Sequence, residues 1–111
     1  MDMIDQLVPW FRALSDPTRL RLLALIQSSP QCVEDLVSAL TVSQPKVSRH
    51  LAYLRRSGLV QCERRGRRIY YRLTRKAEPF QRRMLVDVAR YLAVTPQARA
   101  DRRRLASYSV C

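Results

Sequence analysis

Residues 43–71 read Ser-Gln-Pro-Lys-Val-Ser-Arg-His-Leu-Ala-Tyr-Leu-Arg-Arg-Ser-Gly-Leu-Val-Gln-Cys-Glu-Arg-Arg-Gly-Arg-Arg-Ile-Tyr-Tyr. At about 100° per residue, Val47, Leu51 and Leu54 gather on one side of a helix. Pro45, Arg49, Ala52 and Arg56 lie opposite, with Ser48 and Tyr53 on the flanks. Ser43 suits the N-cap, and Pro45 is tolerated in the first turn. Gly58 supplies the positive φ that ends such a helix. Leu59 to Arg64 and Arg67 to Leu73 then alternate as strands joined at Arg65-Gly66. A helix with a small polar outer face, followed by a basic hairpin, has the order of a winged helix-turn-helix.

Upstream, Ile4, Leu7, Val8, Phe11 and Leu14 follow helical spacing. Asp16-Pro17 caps and opens a second helix around Leu20, Leu23 and Ala24, closed by Ser28-Ser29-Pro30. Val33, Leu36, Val37 and Leu40 mark a third, short helix, and Thr41-Val42-Ser43 is the turn before the fourth. Downstream, Pro79 opens a fifth helix carrying Phe80, Met84, Val88 and Leu92, which Thr95-Pro96 ends. The expected fold is mainly α within an α+β class: four helices, two strands and a fifth helix. A single domain over 1–95 is expected, followed by a basic tail over 96–111 that is a short helix or disordered. The apolar faces of the first and last helices exceed what so small a core needs, which predicts a homodimer joined through them.

Charge sharpens this reading. The net charge is +12, yet residues 1–45 carry −2 and residues 46–111 carry +14. From Arg55 to Arg83 there are 11 basic residues against Glu63 and Glu78. Such a half-chain attracts a polyanion, and double-stranded DNA fits a helix and hairpin of this size. Gln44 and Arg49 suit base edges, whereas Ser43, Lys46 and Ser48 suit phosphates. His50, at the edge of the apolar face, is read as a packing residue or phosphate donor. Arg64, Arg65, Arg67 and Arg68 crowd the hairpin tip, where arginine enters a minor groove or grips the backbone. No apolar run approaches the roughly 20 residues of a membrane span. Asp2 and Asp5 stand where a secretory signal carries positive charge, so a cytoplasmic protein is expected. An enzyme is not: there is no Gly-rich phosphate loop, acid pair or nucleophile–base pairing. The rival of another class is a DNA-architectural protein with little sequence preference.

Three motifs also carry a resemblance. Leu14-Ser15-Asp16-Pro17-Thr18-Arg19-Leu20, Ser43-Gln44-Pro45-Lys46-Val47-Ser48-Arg49-His50-Leu51, and Gly58-Leu59-Val60 with Arg65-Gly66-Arg67 and Tyr70-Tyr71-Arg72-Leu73 resemble the ArsR/SmtB family of bacterial metalloregulators. The resemblance covers about residues 4–92. It implies a winged-helix homodimer that represses a promoter and leaves DNA when an inducer binds; two reading helices set about one DNA turn apart predict an inverted-repeat operator.

The inducer is the least legible part. The family's thiolate site on the third helix reads C-x-C, and here only Cys32 matches, in Cys32-Val33-Glu34. Its zinc site on the last helix needs histidines, and Asp87-Val88-Ala89 has none, so zinc is not expected. Arsenite or antimonite needs about three thiolates, and Cys32, Cys62 and Cys111 exist. Cys32 with Cys111, with or without Cys62, is therefore the candidate inducer site. Thiol-redox sensing and the absence of any sensing remain the alternatives, and a structural disulfide is not expected in the cytosol. Glu34 and Asp35 are read as favouring the helix dipole rather than as oxygen ligands.

Overall fold

The same local device starts three helices. In each, a side chain caps the backbone and a proline occupies the first turn, where its missing N–H is harmless. Asp16 accepts from Arg19 N at 3.0 Å to open α2 (Pro17–Ile26). Glu78 accepts from Phe80 N and Gln81 N to open α5 (Pro79–Ala93), and Thr95 accepts from Ala98 N at 3.3 Å to open α6 (Pro96–Tyr108). α1 is Met3–Leu14, capped by Asp2. The computed structural model describes residues 2–111.

α2 is apolar nearly all round, and Leu22 to Ile26 are all buried, so it lies at the centre. α3 (Val33–Leu40) and α4 (Gln44–Arg56) pack on it through Leu36, Leu40, Val47, Leu51 and Leu54. Truncating any one of these leucines to alanine removes about 2–5 kcal/mol. The turn between α3 and α4 hinges on Thr41, held at φ 54° in the left-handed region that a β-branched residue seldom adopts. This helix-turn-helix matches the sequence expectation.

The sheet differs from expectation in one strand. Gln31–Cys32 forms β1, giving a three-stranded antiparallel sheet in the order β1-β3-β2, with β2 Val60–Arg65 and β3 Arg68–Leu73. β1 pairs Gln31 with Tyr71 and Cys32 with Tyr70. Two residues carry too little periodicity to be read as a strand. The hairpin turn also sits one residue later than expected. Arg65 pairs with Arg68, so Gly66-Arg67 are the turn residues, and Gly66 at φ 63° supplies the positive φ that a type II′ turn needs first.

Of the two forms expected for the tail over 96–111, a short helix or disorder, the structure shows a helix. Residues 96–108 pack antiparallel along α3 and against α2, and α6 also meets α5 across residue 95. Its apolar content is slight, Ala98 and Leu105. Charge neutralisation supplies the rest. Asp101 is 0% exposed and accepts from Arg21 Nε and Nη2 at 2.9 Å each, from Gln97 at 3.0 Å and from Arg104 at 2.5 Å. Arg21 also donates to Leu40 O at 2.9 Å and Arg104 to Ala39 O at 2.6 Å, so the network caps the last turn of α3.

Candidate nucleic-acid interface and cysteine site

α4 divides by face as its sequence requires. Val47, Leu51 and Leu54 are 0% exposed, while Ser43, Gln44, Lys46, Ser48 and Arg49 all face outward. Neither Lys46 nor Arg49 has a side-chain hydrogen bond or ion pair among the described residues. His50 behaves differently from the rest of the set. Its Nδ1 lies 3.6 Å from Asp16 and 3.3 Å from Arg19 Nη1. Arg19 in turn donates to Ala13 O and Arg12 O and lies 4.2 Å over the Tyr53 ring. His50 therefore ties α4 to the start of α2, in line with its packing reading and away from the exposed face. Arg19 is a positioning residue that sequence reasoning missed.

The wing arginines are not equivalent. Arg64 folds back on Gly66 O at 3.1 Å. Arg65 pairs with Glu63 and lies 4.6 Å over Tyr70. The Arg65 hydrogen bond holds the Glu63 carboxyl below its ordinary range, helped by the charges of Arg72 and Arg75. Arg67, in the turn, is exposed and has no polar side-chain partner among the described residues. Arg68 points to the other site, 3.7 Å from Glu34. Of Tyr70 and Tyr71, it is Tyr71 that packs on the core, and burial pushes its phenol up.

The second site joins the start of α3 to the end of the chain. Cys32, 0% exposed, is bonded to the exposed Cys111, 79 residues away, with Cα atoms 6.4 Å apart. That separation falls in the roughly 4.4–6.8 Å a disulfide spans. The expectation of no disulfide is thus corrected: a docked terminus brings two distant thiols together. The docking runs through Asp35, which accepts from Ser109 Oγ and Val110 N at 2.7 Å each. Ligand atoms of Cys32, Asp35 and Cys111 all lie within 4.8 Å of one another. Asp35 was weighed as an oxygen ligand and read instead as a dipole partner. Its place among buried residues of α3, beside Leu36, was the available signal.

Cys62 is not part of this group. It aligns with Tyr71 and hence with Gln31, whereas Cys32 aligns with Tyr70 and Glu63. Adjacent register positions face opposite sides of a sheet, and the two cysteines lie on strands about two spacings, roughly 10 Å, apart. Cys62 is free and half-buried on the side of Val60.

The profile of the family described as bacterial regulatory protein, arsR family, matches residues 16–61, from the cap of α2 to the start of β2. The chain is 37% identical over 99 residues to the probable mercury resistance operon repressor of Streptomyces lividans, covering 87% of this chain and 74% of that protein. The chain belongs to the ArsR family of bacterial regulatory proteins. It is 48% identical over 64 residues to the arsenic resistance transcriptional regulator ArsR1 of Pseudomonas putida, covering 57% of this chain and 50% of that protein. This ArsR-family chain therefore spans about half the length of that relative. A homodimeric winged helix-turn-helix DNA-binding domain from Mycobacterium bovis, described as a possible ArsR-family regulator, is similar at a TM-score of 0.67 and 28% identity, covering 84% of this chain and 85% of that one. The winged-helix fold is thereby borne out, and the ArsR family comprises transcription regulators, not enzymes. No helix among the described residues is long and apolar enough to cross a membrane.

Proposed function

We propose that this chain is a cytoplasmic, homodimeric transcriptional repressor that reads an inverted-repeat DNA operator and is released by chemistry at Cys32 and Cys111. The observation that carries the DNA reading is the outward face of α4, where Gln44, Lys46, Ser48 and Arg49 stand exposed over a fully buried inner face. Gln44 and Arg49 read bases, Ser43, Lys46 and Ser48 hold phosphates, and Arg67 leads the wing's contact with Arg64 and Arg65 beside it. Dimerisation fits the apolar surface left on α1 and α5, where Ile4 is 65% exposed, Phe11 50% and Tyr91 73%. Trp10 and Phe80, with ring centroids 6.5 Å apart, join the two helices into one patch.

The geometry of the cysteine site favours a thiol–disulfide switch. Two thiols and a hydrogen peroxide give a disulfide and two waters, and the bond fastens the chain's end to the first helix of the helix-turn-helix. A second reading rests on the same cluster: Cys32, Cys111 and Asp35 offer a soft ion two thiolates and a carboxylate. Relatives named for arsenic and mercury resistance give that reading weight. Arsenite or antimonite held by three thiolates of one protomer is disfavoured by the distance of Cys62.

Fluorescence anisotropy on an operator duplex tests both readings. Reduced protein is expected to bind at least tenfold more tightly than peroxide-treated protein, and Cys32→Ser to abolish the difference. Release by arsenite or mercuric ion, with no response to peroxide, replaces the redox reading by the metal reading. Equal affinity under all treatments overturns both.

A further inference from the structure

At the base of the wing lies a cleft of about 540 Å³ whose walls are rich in donors and cations and short of acceptors. It is lined by Arg55 from the last turn of α4, Gln61 and Cys62 of β2, Arg72 of β3, and Thr74 and Lys76 of the segment that leads to α5. Local backbone bonds occupy its neutral acceptors. Gln61 Oε1 accepts from Arg75 N at 3.3 Å, and Thr74 Oγ1 accepts from Lys76 N at 3.4 Å. The Gln61 amide N–H groups and the Thr74 hydroxyl proton are left to donate. Arg55 and Lys76 are exposed and make no side-chain hydrogen bond or ion pair among the described residues. Arg72 Nη1 lies 3.9 Å from Glu63, a carboxylate it shares with Arg65, and Arg72 Nε is buried without an acceptor.

Two guanidiniums and an ammonium thus converge from three elements, and a cleft lined by one sign of charge concentrates the opposite one. Gln61 stands four residues before Arg65, about 13 Å along the strand, so the cleft is set apart from the wing tip. On its rim, Gly58 O accepts from Gln81 Nε2 of α5 at 2.9 Å, so its walls join the end of α4 to α5.

We propose that this cleft binds a small phosphate-bearing molecule. Arg55, Arg72 and Lys76 neutralise its charge, and Gln61 and Thr74 donate to its oxygens. A terminal phosphate carries about −1.5 to −2 charges at neutral pH and three acceptor oxygens. That matches three cations and two neutral donors better than the single charge and two oxygens of a carboxylate. The site shares no residue with the Cys32–Cys111 pair or with the side chains assigned to DNA, and it stands independently of both readings.

The test uses the full chain in its disulfide form, without DNA, and inorganic pyrophosphate as the probe, titrated calorimetrically at constant ionic strength. Saturable binding at one site per protomer is expected. Arg55→Ala and Lys76→Ala are each expected to weaken it about fivefold, whereas Arg103→Ala, which removes an exposed cation of α6, stays within about twofold. Cys62, the free thiol, reports the location. Saturating pyrophosphate is expected to slow its alkylation by iodoacetamide about threefold, and acetate at equal ionic strength to leave the rate unchanged. Absence of saturable binding overturns the proposal, as does an unchanged Cys62 rate at saturation. Equal weakening by all three substitutions also overturns it, because that marks diffuse attraction to a basic chain. A duplex of unrelated sequence that protects Cys62 where pyrophosphate does not would put a DNA backbone phosphate in the cleft and overturn the small-ligand assignment.

Discussion

The two ends of α3 are both fastened to the C-terminal segment, but by different chemistry. At the C-terminal end, buried Asp101 gathers Arg21, Arg104 and Gln97, and the two arginines reach the last carbonyls of α3. At the N-terminal end, Asp35 receives Ser109 and Val110, and Cys111 closes on Cys32. The first fastening is made of ion pairs and hydrogen bonds around one buried carboxylate. The second ends in a bond that reductant opens and oxidant closes. In the proposed switch, a fixed clamp at one end would let a reversible one at the other act on the helix-turn-helix without the domain coming apart. The wing joins the reversible end, because Arg68 contacts Glu34 and Cys111.

The contrast is broken most severely by Asp101→Ala. It strips the acceptor from four donor contacts and leaves Arg21 and Arg104 beside buried surface, so a loss of about 4 kcal/mol is expected, read as a lower urea midpoint. Retention of wild-type stability would show that α6 is held by packing alone. Reduction of the disulfide is expected to cost no more than that, about 4 kcal/mol for a crosslink between residues 79 apart, while far-UV circular dichroism keeps the helical signal. Loss of that signal on reduction would mean that the bond, not the clamp, holds α6. Asp35→Asn is the finest probe. It weakens two hydrogen bonds to a charged acceptor, about 1–2 kcal/mol in total, and is expected to raise hydrogen exchange only at residues 109–111 and to speed reduction of the disulfide. Exchange unchanged there would leave the latch resting on the sulfur bond alone.

The helix-turn-helix was legible because its signals agree: Asp16-Pro17, the apolar positions of α2, and the split of α4 into Val47, Leu51, Leu54 against Arg49. The hairpin was legible to one residue, and the slip came from reading Gly66 as the second turn position instead of the first. α6 stayed open between a short helix and disorder, although Thr95-Pro96 repeats the pattern of Asp16-Pro17 and Glu78-Pro79. Its face is built from Ala98, Asp101 and Leu105, and a lone acid among arginines carries no hydrophobic period. That Cys32 and Cys111 belong together was readable only as a possibility of reach, since the contact depends on α6 running back along α3. The separation of Cys62 depends on strand register, which a one-residue shift reverses. His50 turned inward because Asp16 and Arg19, distant in sequence, wait for it at the start of α2.

The most direct measurement is anisotropy of the reduced protein on an inverted-repeat duplex and its scrambled counterpart across a salt series, for wild type, Arg49→Ala and Arg67→Ala. With on the order of eight phosphate contacts, the log–log salt slope is expected near −7. Arg49→Ala is expected to bring the two duplexes to similar affinity, and Arg67→Ala to weaken both about equally. A flat salt response, or an Arg49→Ala protein that still prefers the operator as strongly as wild type, would contradict the assignment of α4 as the reading element.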